Sequence, residues 1–211
     1  MNRKEVKSRD LFLAWEHRIM HHLMENSRVY GLFLLIVVVA TLSVGFWIKN
    51  QNQKEKLASE AYYTALKAQE GKPDFKKLEE VSKEYSSTVS AVLASLKEGN
   101  LFYEKKDFKQ ALEVFKNTEK HTKNTFLKTL VYYNLAYTSE SLNQYEGAFQ
   151  YFTRLLTSEI EFLSHSGFVG QARCLEKLGK KDEALKVYED LKKKFPKYQK
   201  QADDLIQLLN S

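Results

Sequence analysis

The chain has 211 residues, 43% of them hydrophobic and 28% charged, only two prolines (Pro73 and Pro196), and a formal net charge of +6. That length holds one well-cored domain with an appendage and excludes two domains of ordinary size. Scarce Gly and Pro beside abundant Ala, Leu, Lys, Glu and Gln favour an all-α chain. The basic excess is dispersed, with six Lys/Arg against four Asp/Glu in residues 1–28 and 27 against 23 in residues 49–211. Lys and Glu alternate as on a solvated helix surface, so no nucleic-acid partner is expected.

In residues 1–28 the stretch DLFLAWEHRIMHHLM puts Leu11, Trp15, Ile19 and Leu23 at i, i+4 steps, with Phe12 and Met20 beside them. This pattern predicts an amphipathic helix at a membrane surface. His17 and His21 share one face and His22 adjoins it, but no third well-spaced ligand accompanies them, and no metal site is expected.

Val29 to Ile48 is twenty residues without a charge, bracketed by Arg28 and Lys49, with Tyr30 at one end and Phe46-Trp47 at the other. At 1.5 Å per residue such a helix spans roughly 30 Å, a bilayer's hydrocarbon core, so the lipid bilayer is the partner predicted for this segment. The run is too long, and preceded by too many residues, for a cleaved signal peptide. Lys/Arg on its two sides balance, and local charge leaves the orientation open. A polar linker is expected over 49–56.

Residues 57–211 repeat themselves. KDFKQALEVF from Lys106, NQYEGAFQYF from Asn143 and KKDEALKVY from Lys180 align, placing Ala111, Ala148 and Ala184 at spacings of 37 and 36. Four residues after each stands an aromatic, namely Phe115, Phe152 and Tyr188. A small residue followed one turn later by a large one lets two helices approach at one level and interlock at the next. Each such stretch follows another helical run across a short polar turn, so the unit is a helix hairpin of the kind that stacks into a solenoid.

These features resemble the tetratricopeptide repeat: Ala172, Ala184, Tyr188, Pro196 and a turn glycine, Gly179, in the last unit; Ala136, Ala148 and Phe152 in the middle one; Gly99, Ala111 and Phe115 in the first. The resemblance implies an all-α fold, a single N-terminal transmembrane helix followed by a right-handed helical-repeat solenoid. Its parts are a divergent cap unit at 57–86, repeats at about 90–122, 125–160 and 162–196, and a capping helix at 197–210, where Ala202, Leu205, Ile206 and Leu209 share a face.

No phosphate loop and no nucleophile–base pair can be assembled from these residues, so a non-enzymatic protein without a cofactor or small-molecule substrate is expected. Cys174, the only cysteine, reads as a small packing residue. The concave face of a helical solenoid is lined by the first helix of each unit. The repeat phase assigns to it Tyr63 and Lys67 in the cap, then Leu96, Asn100 and Tyr103; Tyr133, Tyr137 and Glu140; Val169, Arg173 and Glu176. Tyrosines among polar groups suit recognition of unfolded or extended peptide segments, and they equally suit a solenoid's interior. Asn100 and Asn134 match two places of a carboxylate-clamping repeat domain, but Leu96, Ser166 and Gly170 stand where its basic residues would be.

The whole order of parts, with the patches Ser59-Glu60-Ala61-Tyr62 and Glu70-Gly71-Lys72-Pro73, is similar to the bacterial YfgM family. That resemblance implies a single-pass protein of a Gram-negative inner membrane with a cytoplasmic N-terminus and periplasmic repeats. It further implies an ancillary subunit of the Sec translocon, working with a PpiD-like periplasmic chaperone on secreted proteins. The competing reading is a general cell-envelope scaffold that coordinates cell-wall or outer-membrane assembly.

Overall fold

A computed structural model describes residues 15–16, 20–22, 24–67 and 73–210. Leu11, Phe12, His17, Ile19 and Leu23 of the expected interfacial helix, and residues 68–72, lie outside the described residues. The chain forms two compact units, Met1–Gln53 and Lys54–Ser211.

Helix α1 (Ser27–Leu66) carries the apolar run. Leu34 and Phe46 are 67% and 75% exposed, so no protein surface covers this segment. Among the described residues α1 is the one helix long and apolar enough to cross a membrane, where a helix meets the need to satisfy every backbone group internally. The linker expected over residues 49–56 is instead helical. The physical reason is local: no Gly or Pro occurs between Gly45 and Gly71, and Gln, Lys, Glu and Ala all propagate a helix.

In the second unit follow α2 (Phe75–Glu84), α3 (Val89–Glu104), α4 (Phe108–His121), α5 (Thr125–Ser141), α6 (Tyr145–Leu155), α7 (Glu161–Lys177), α8 (Lys181–Lys194), a 3-10 turn (Pro196–Tyr198) and α9 (Gln199–Asn210). Asp74, Thr88, Asp107 and Asn124 start α2 to α5 by accepting hydrogen bonds from backbone N–H groups of the first turn. Helix α8 has Asp182 and Glu183 in its first turn and Lys192, Lys193 and Lys194 in its last, matching the helix dipole at both ends.

The same turn closes each hairpin. Lys106, Asn143 and Gly179 take left-handed φ values of 61°, 59° and 74°. The next residue's N–H then reaches back to the preceding helix: Asp107 to the Phe102 carbonyl at 3.0 Å, Gln144 to Ser139 at 2.9 Å, and Lys180 to Leu175 at 2.9 Å. Identical turns aim the second helix of each unit back along the first.

Four apolar clusters follow one another along the chain. Ala65, Leu78, Val81 and Ala94 join α1, α2 and α3. Val92, Leu96, Phe115, Val131 and Leu135 join α3, α4 and α5. Phe152, Ala136, Ala148, Leu155 and Cys174 join α5, α6 and α7. Tyr188, Ala172, Ala184, Leu191 and Ala202 join α7, α8 and α9. Each helix packs chiefly on its chain neighbours, as in a solenoid, and α9 closes the last cluster with Leu205, Ile206 and Leu209. The periodic alanines and aromatics are all fully buried. A Cβ added at Gly99 would run into the ring of Phe115, and one at Gly170 into the ring of Phe152, which is why these positions are glycine.

Candidate functional site

The first helices α3, α5 and α7 contact one another, α3 with α5 and α5 with α7, which brings their outward strips side by side. On α5, Tyr133 and Tyr137 lie one turn apart with ring centres 4.7 Å from each other. Tyr133 also meets Phe162, at the start of α7, at 5.8 Å, and Tyr137 stands edge-on to the buried Phe152 at 5.1 Å. From α7 the guanidinium of Arg173 forks onto Glu140 of α5, Nε to Oε1 at 2.7 Å and Nη2 to Oε2 at 2.6 Å. The same guanidinium lies 5.6 Å from the Tyr137 ring centre and 5.9 Å from that of Phe152.

Two geometric effects reinforce each other here. The planar fork and the flat ring both hold the guanidinium in one plane, so less side-chain freedom is lost per contact than a lysine would lose. The hydrogen bonds that Arg173 donates to Glu140 raise its pKa above the ordinary value, more than burial lowers it, and the group is a fixed cation. Burial first, and the neighbouring Tyr137 second, push up the Tyr133 phenol, which therefore stays a neutral donor.

The remaining assigned positions divide. Tyr103 joins the strip from α3, its hydroxyl 3.0 Å from Ser141 Oγ of α5 and its ring 5.1 Å from Phe108. Glu176 accepts a 2.7 Å hydrogen bond from the hydroxyl of Tyr188 and is thereby tied to its own hairpin. Val169 packs against the α7–α8–α9 cluster, and Asn100 is half-buried. Tyr63 on α1 and Lys67 just after its end are exposed. Leu96 departs from its assignment: it is 7% exposed and belongs to the core with Val92, Phe115 and Val131, because α3 is covered by α4 and α5 on that side. Asn134 gives one of its two amide hydrogens to the Leu130 carbonyl at 2.9 Å.

Sequence phase missed Phe162, 60% exposed at the mouth of this strip, because it lies in the first turn of α7, ahead of the positions that the repeat phase assigns. Its signal was an aromatic directly after the acidic N-terminal residue Glu161. Cys174 is fully buried, and burial pushes its thiol up to about 12, so at neutral pH it is a protonated packing group. Among the described residues no three His, Cys, Asp or Glu side chains gather in a way that would hold a metal ion. What the strip offers is flat aromatic area, hydroxyl donors and one ordered carboxylate–guanidinium pair, the equipment of a recognition surface.

Comparison with known proteins places this geometry. The family described as a tetratricopeptide repeat-like domain matches residues 21–209. A crystal structure of TPR-like repeats from Podosopora anserina, described as a kinesin light chain, is similar in fold, with a TM-score of 0.50 and 12% identity over 76% of this chain and 93% of that one. No curated protein matches the sequence.

Proposed function

The chain belongs to the tetratricopeptide repeat-like domain family, and from that premise we propose that it is a non-enzymatic, membrane-anchored protein-binding module whose recognition surface is the strip of α3, α5 and α7. The observation that carries this reading is the Tyr133–Tyr137–Phe162 aromatic patch held beside the Glu140–Arg173 pair. Half-buried tyrosines present a large contact area while their stems are already ordered, so a bound peptide segment meets little entropic cost. Tethering by the apolar part of α1 concentrates the surface near its partners, and weak individual contacts then suffice.

The partners proposed are the Sec translocon, a PpiD-like periplasmic chaperone and the extended segments of secreted chains, with the repeats on the periplasmic side of a bacterial inner membrane. The likeness to the YfgM family in residue order and in the Ser59-Glu60-Ala61-Tyr62 patch supports this finer reading. A photo-crosslinking side chain placed at Phe162 in intact membranes is expected to capture translocon, chaperone or secretory-chain fragments, while one at the exposed Lys186 of α8 captures few. Capture of cell-wall or outer-membrane assembly proteins instead would favour the scaffold reading. Equal capture at both positions would remove the strip from the argument. A Lys181→Cys variant that reacts with a membrane-impermeant thiol reagent only after the inner membrane is broken would exclude the periplasmic placement.

A further inference from the structure

A cleft in the repeat unit lies away from the tyrosine strip. The second helices α2 and α4 form its walls and the first helix α3 its floor, around about 520 Å³. None of the residues assigned to the tyrosine surface lines it. Its lining follows helical spacing on each element: Glu79 and Lys83 from α2, Glu98 and Phe102 from α3, Glu113 and His121 from α4 mark the mouth, floor and far wall.

Glu98 sets the chemistry of this cleft. It is 7% exposed, an acidic side chain in the body of a buried helix, where a carboxylate needs either a cation or firm hydrogen-bond donors. The facing cation, Lys83, is committed elsewhere, its ammonium 2.6 Å from Glu79 Oε1. Ser82 hydrogen-bonds to Glu98, but its single hydroxyl proton is shared with the Glu79 carbonyl at 2.9 Å. The buried carboxylate therefore faces the cleft with only shared neighbours and no full counter-charge of its own. Around it stand two further carboxylates, Glu79 and Glu113, against one ammonium that is already paired.

The missing partner is a cation, and its class can be narrowed. The acidic groups here do not come close enough together to gather a metal ion. The volume far exceeds that of an ion, and Val92, Phe102 and Val114 give the cleft an apolar flank along which an aliphatic stem can lie while its charged head reaches the floor. We propose that this cleft is a second binding site, taking a lysine or arginine side chain from an extended segment of a partner polypeptide, with Glu98 as the buried counter-ion and Glu113 at the rim.

Proton linkage gives the site a signature. Burial, and next the nearby Glu79, raise the Glu98 carboxyl to about 7, with Lys83 acting in the opposite sense. A cation arriving beside Glu98 favours its ionised form, so binding releases a proton and strengthens as pH rises. Between pH 6 and pH 8 the ionised fraction of such a group rises about tenfold. His121 on the α4 wall adds repulsion in the same direction when protonated, and only the part of the pH effect lost in a Glu98→Gln variant belongs to Glu98.

The test uses the full chain in nanodiscs of zwitterionic lipid and two fluorescent nine-residue Gly/Ser peptides, one with a central arginine and one with citrulline, its neutral isostere. At pH 8 the arginine peptide is expected to bind at least tenfold tighter by fluorescence anisotropy, and that preference should shrink about tenfold at pH 6. Glu98→Gln should abolish the preference, and Glu113→Gln, an exposed change that leaves the floor intact, should reduce it several-fold. Unchanged far-UV circular dichroism of both variants establishes that the loss is local. Equal affinity for the two peptides, or a preference that survives Glu98→Gln, overturns the assignment.

Discussion

Replacing Gly170 by alanine sets two effects of known sign against each other. In the middle of α7, alanine is favoured over glycine by about 1 kcal/mol because the unfolded chain has less backbone freedom to lose. Against this, the new Cβ would enter the ring of Phe152. That ring is fully buried, has Tyr137 edge-on at 5.1 Å and lies beneath the Arg173 guanidinium, so it has no side to swing to. Relief requires α6 and α7 to separate, and overpacking of this kind costs about 1–3 kcal/mol, here at the upper end because three ring carbons are struck. The net expectation is destabilisation by about 1–2 kcal/mol, the difference between those two ranges. Gly147, in α6, is the internal reference: an added Cβ there meets nothing within 4 Å, so Gly147→Ala should stabilise by about 1 kcal/mol.

Tryptophan fluorescence will not report either change, since Trp15 and Trp47 both lie before the repeats. Cys174 will. It is the only cysteine, fully buried, one turn after Gly170 and in the same cluster as Phe152. Its modification by a thiol reagent follows the population of the opened form when opening and closing are fast. About 1.4 kcal/mol is tenfold in that population, so Gly170→Ala should speed labelling about tenfold and Gly147→Ala should slow it about fivefold. Adding Phe152→Leu to Gly170→Ala should recover more than the two single changes predict by addition, because both act on one contact. A Gly170→Ala protein that labels no faster than the parent would refute the packing account of this position.

Other perturbations read out other parts of the fold. Glu98 has a folded pKa of about 7, above its unfolded value of 4.5, so the parent loses stability as pH climbs from 4.5 through 7, by up to about 3 kcal/mol. Glu98→Gln should therefore match the parent at pH 4 and exceed it at pH 8, measured by urea unfolding; a constant difference at both pH values would remove the linkage. Lys106 holds a left-handed conformation that glycine adopts without strain, so Lys106→Gly should raise stability by about 1 kcal/mol, measured as a shift in the urea midpoint. The carboxylate of Glu55 in α1 accepts from the N–H groups of Val89 at 2.7 Å and Ser90 at 2.9 Å and from the Ser90 hydroxyl at 2.6 Å. Glu55→Gln should cost about 1–2 kcal/mol, seen as faster amide exchange in the first turn of α3.

The hairpin pattern was legible because it rests on residue size. Ala111, Ala148 and Ala184 with their aromatics four residues on determine where two helices touch, and no other contact competes for those positions. The turns were less legible: Gly179 signals a left-handed residue, whereas Lys106 and Asn143 take the same conformation under constraint from the helices they join. The helical form of the linker was not legible from its polarity alone, since residues 49–56 are polar and helix-forming at once. For the surface, Tyr103, Tyr133, Tyr137, Glu140 and Arg173 stayed half-buried and gathered along α3, α5 and α7. Leu96 did not, since a helix covered on several sides exposes a strip narrower than the phase rule assumes. The α2–α3–α4 cleft escaped altogether, because Glu98 looks like any surface glutamate until α2 and α4 are seen to stand over it.

The same crowding explains why tyrosine recurs on α5. This helix is packed by α4 on one side and α6 on the other and is touched by α3 and α7 besides, so few of its residues are fully exposed. A side chain at the edge of such a strip must be apolar along its length and polar at its tip, which is the description of tyrosine. Tyr132 shows one solution, stacked on Tyr151 at 6.3 Å with its hydroxyl accepting from Arg154 at 3.1 Å. Tyr133 and Tyr137 show the other, half-buried, with rings resting on each other and on Phe162 and Phe152. For them the alternatives of core and surface are not exclusive: the inner part of each ring holds α5 against α6 and α7, and the outer part remains for contact. A surface built this way is ordered before any partner arrives, and its cost has already been met by folding.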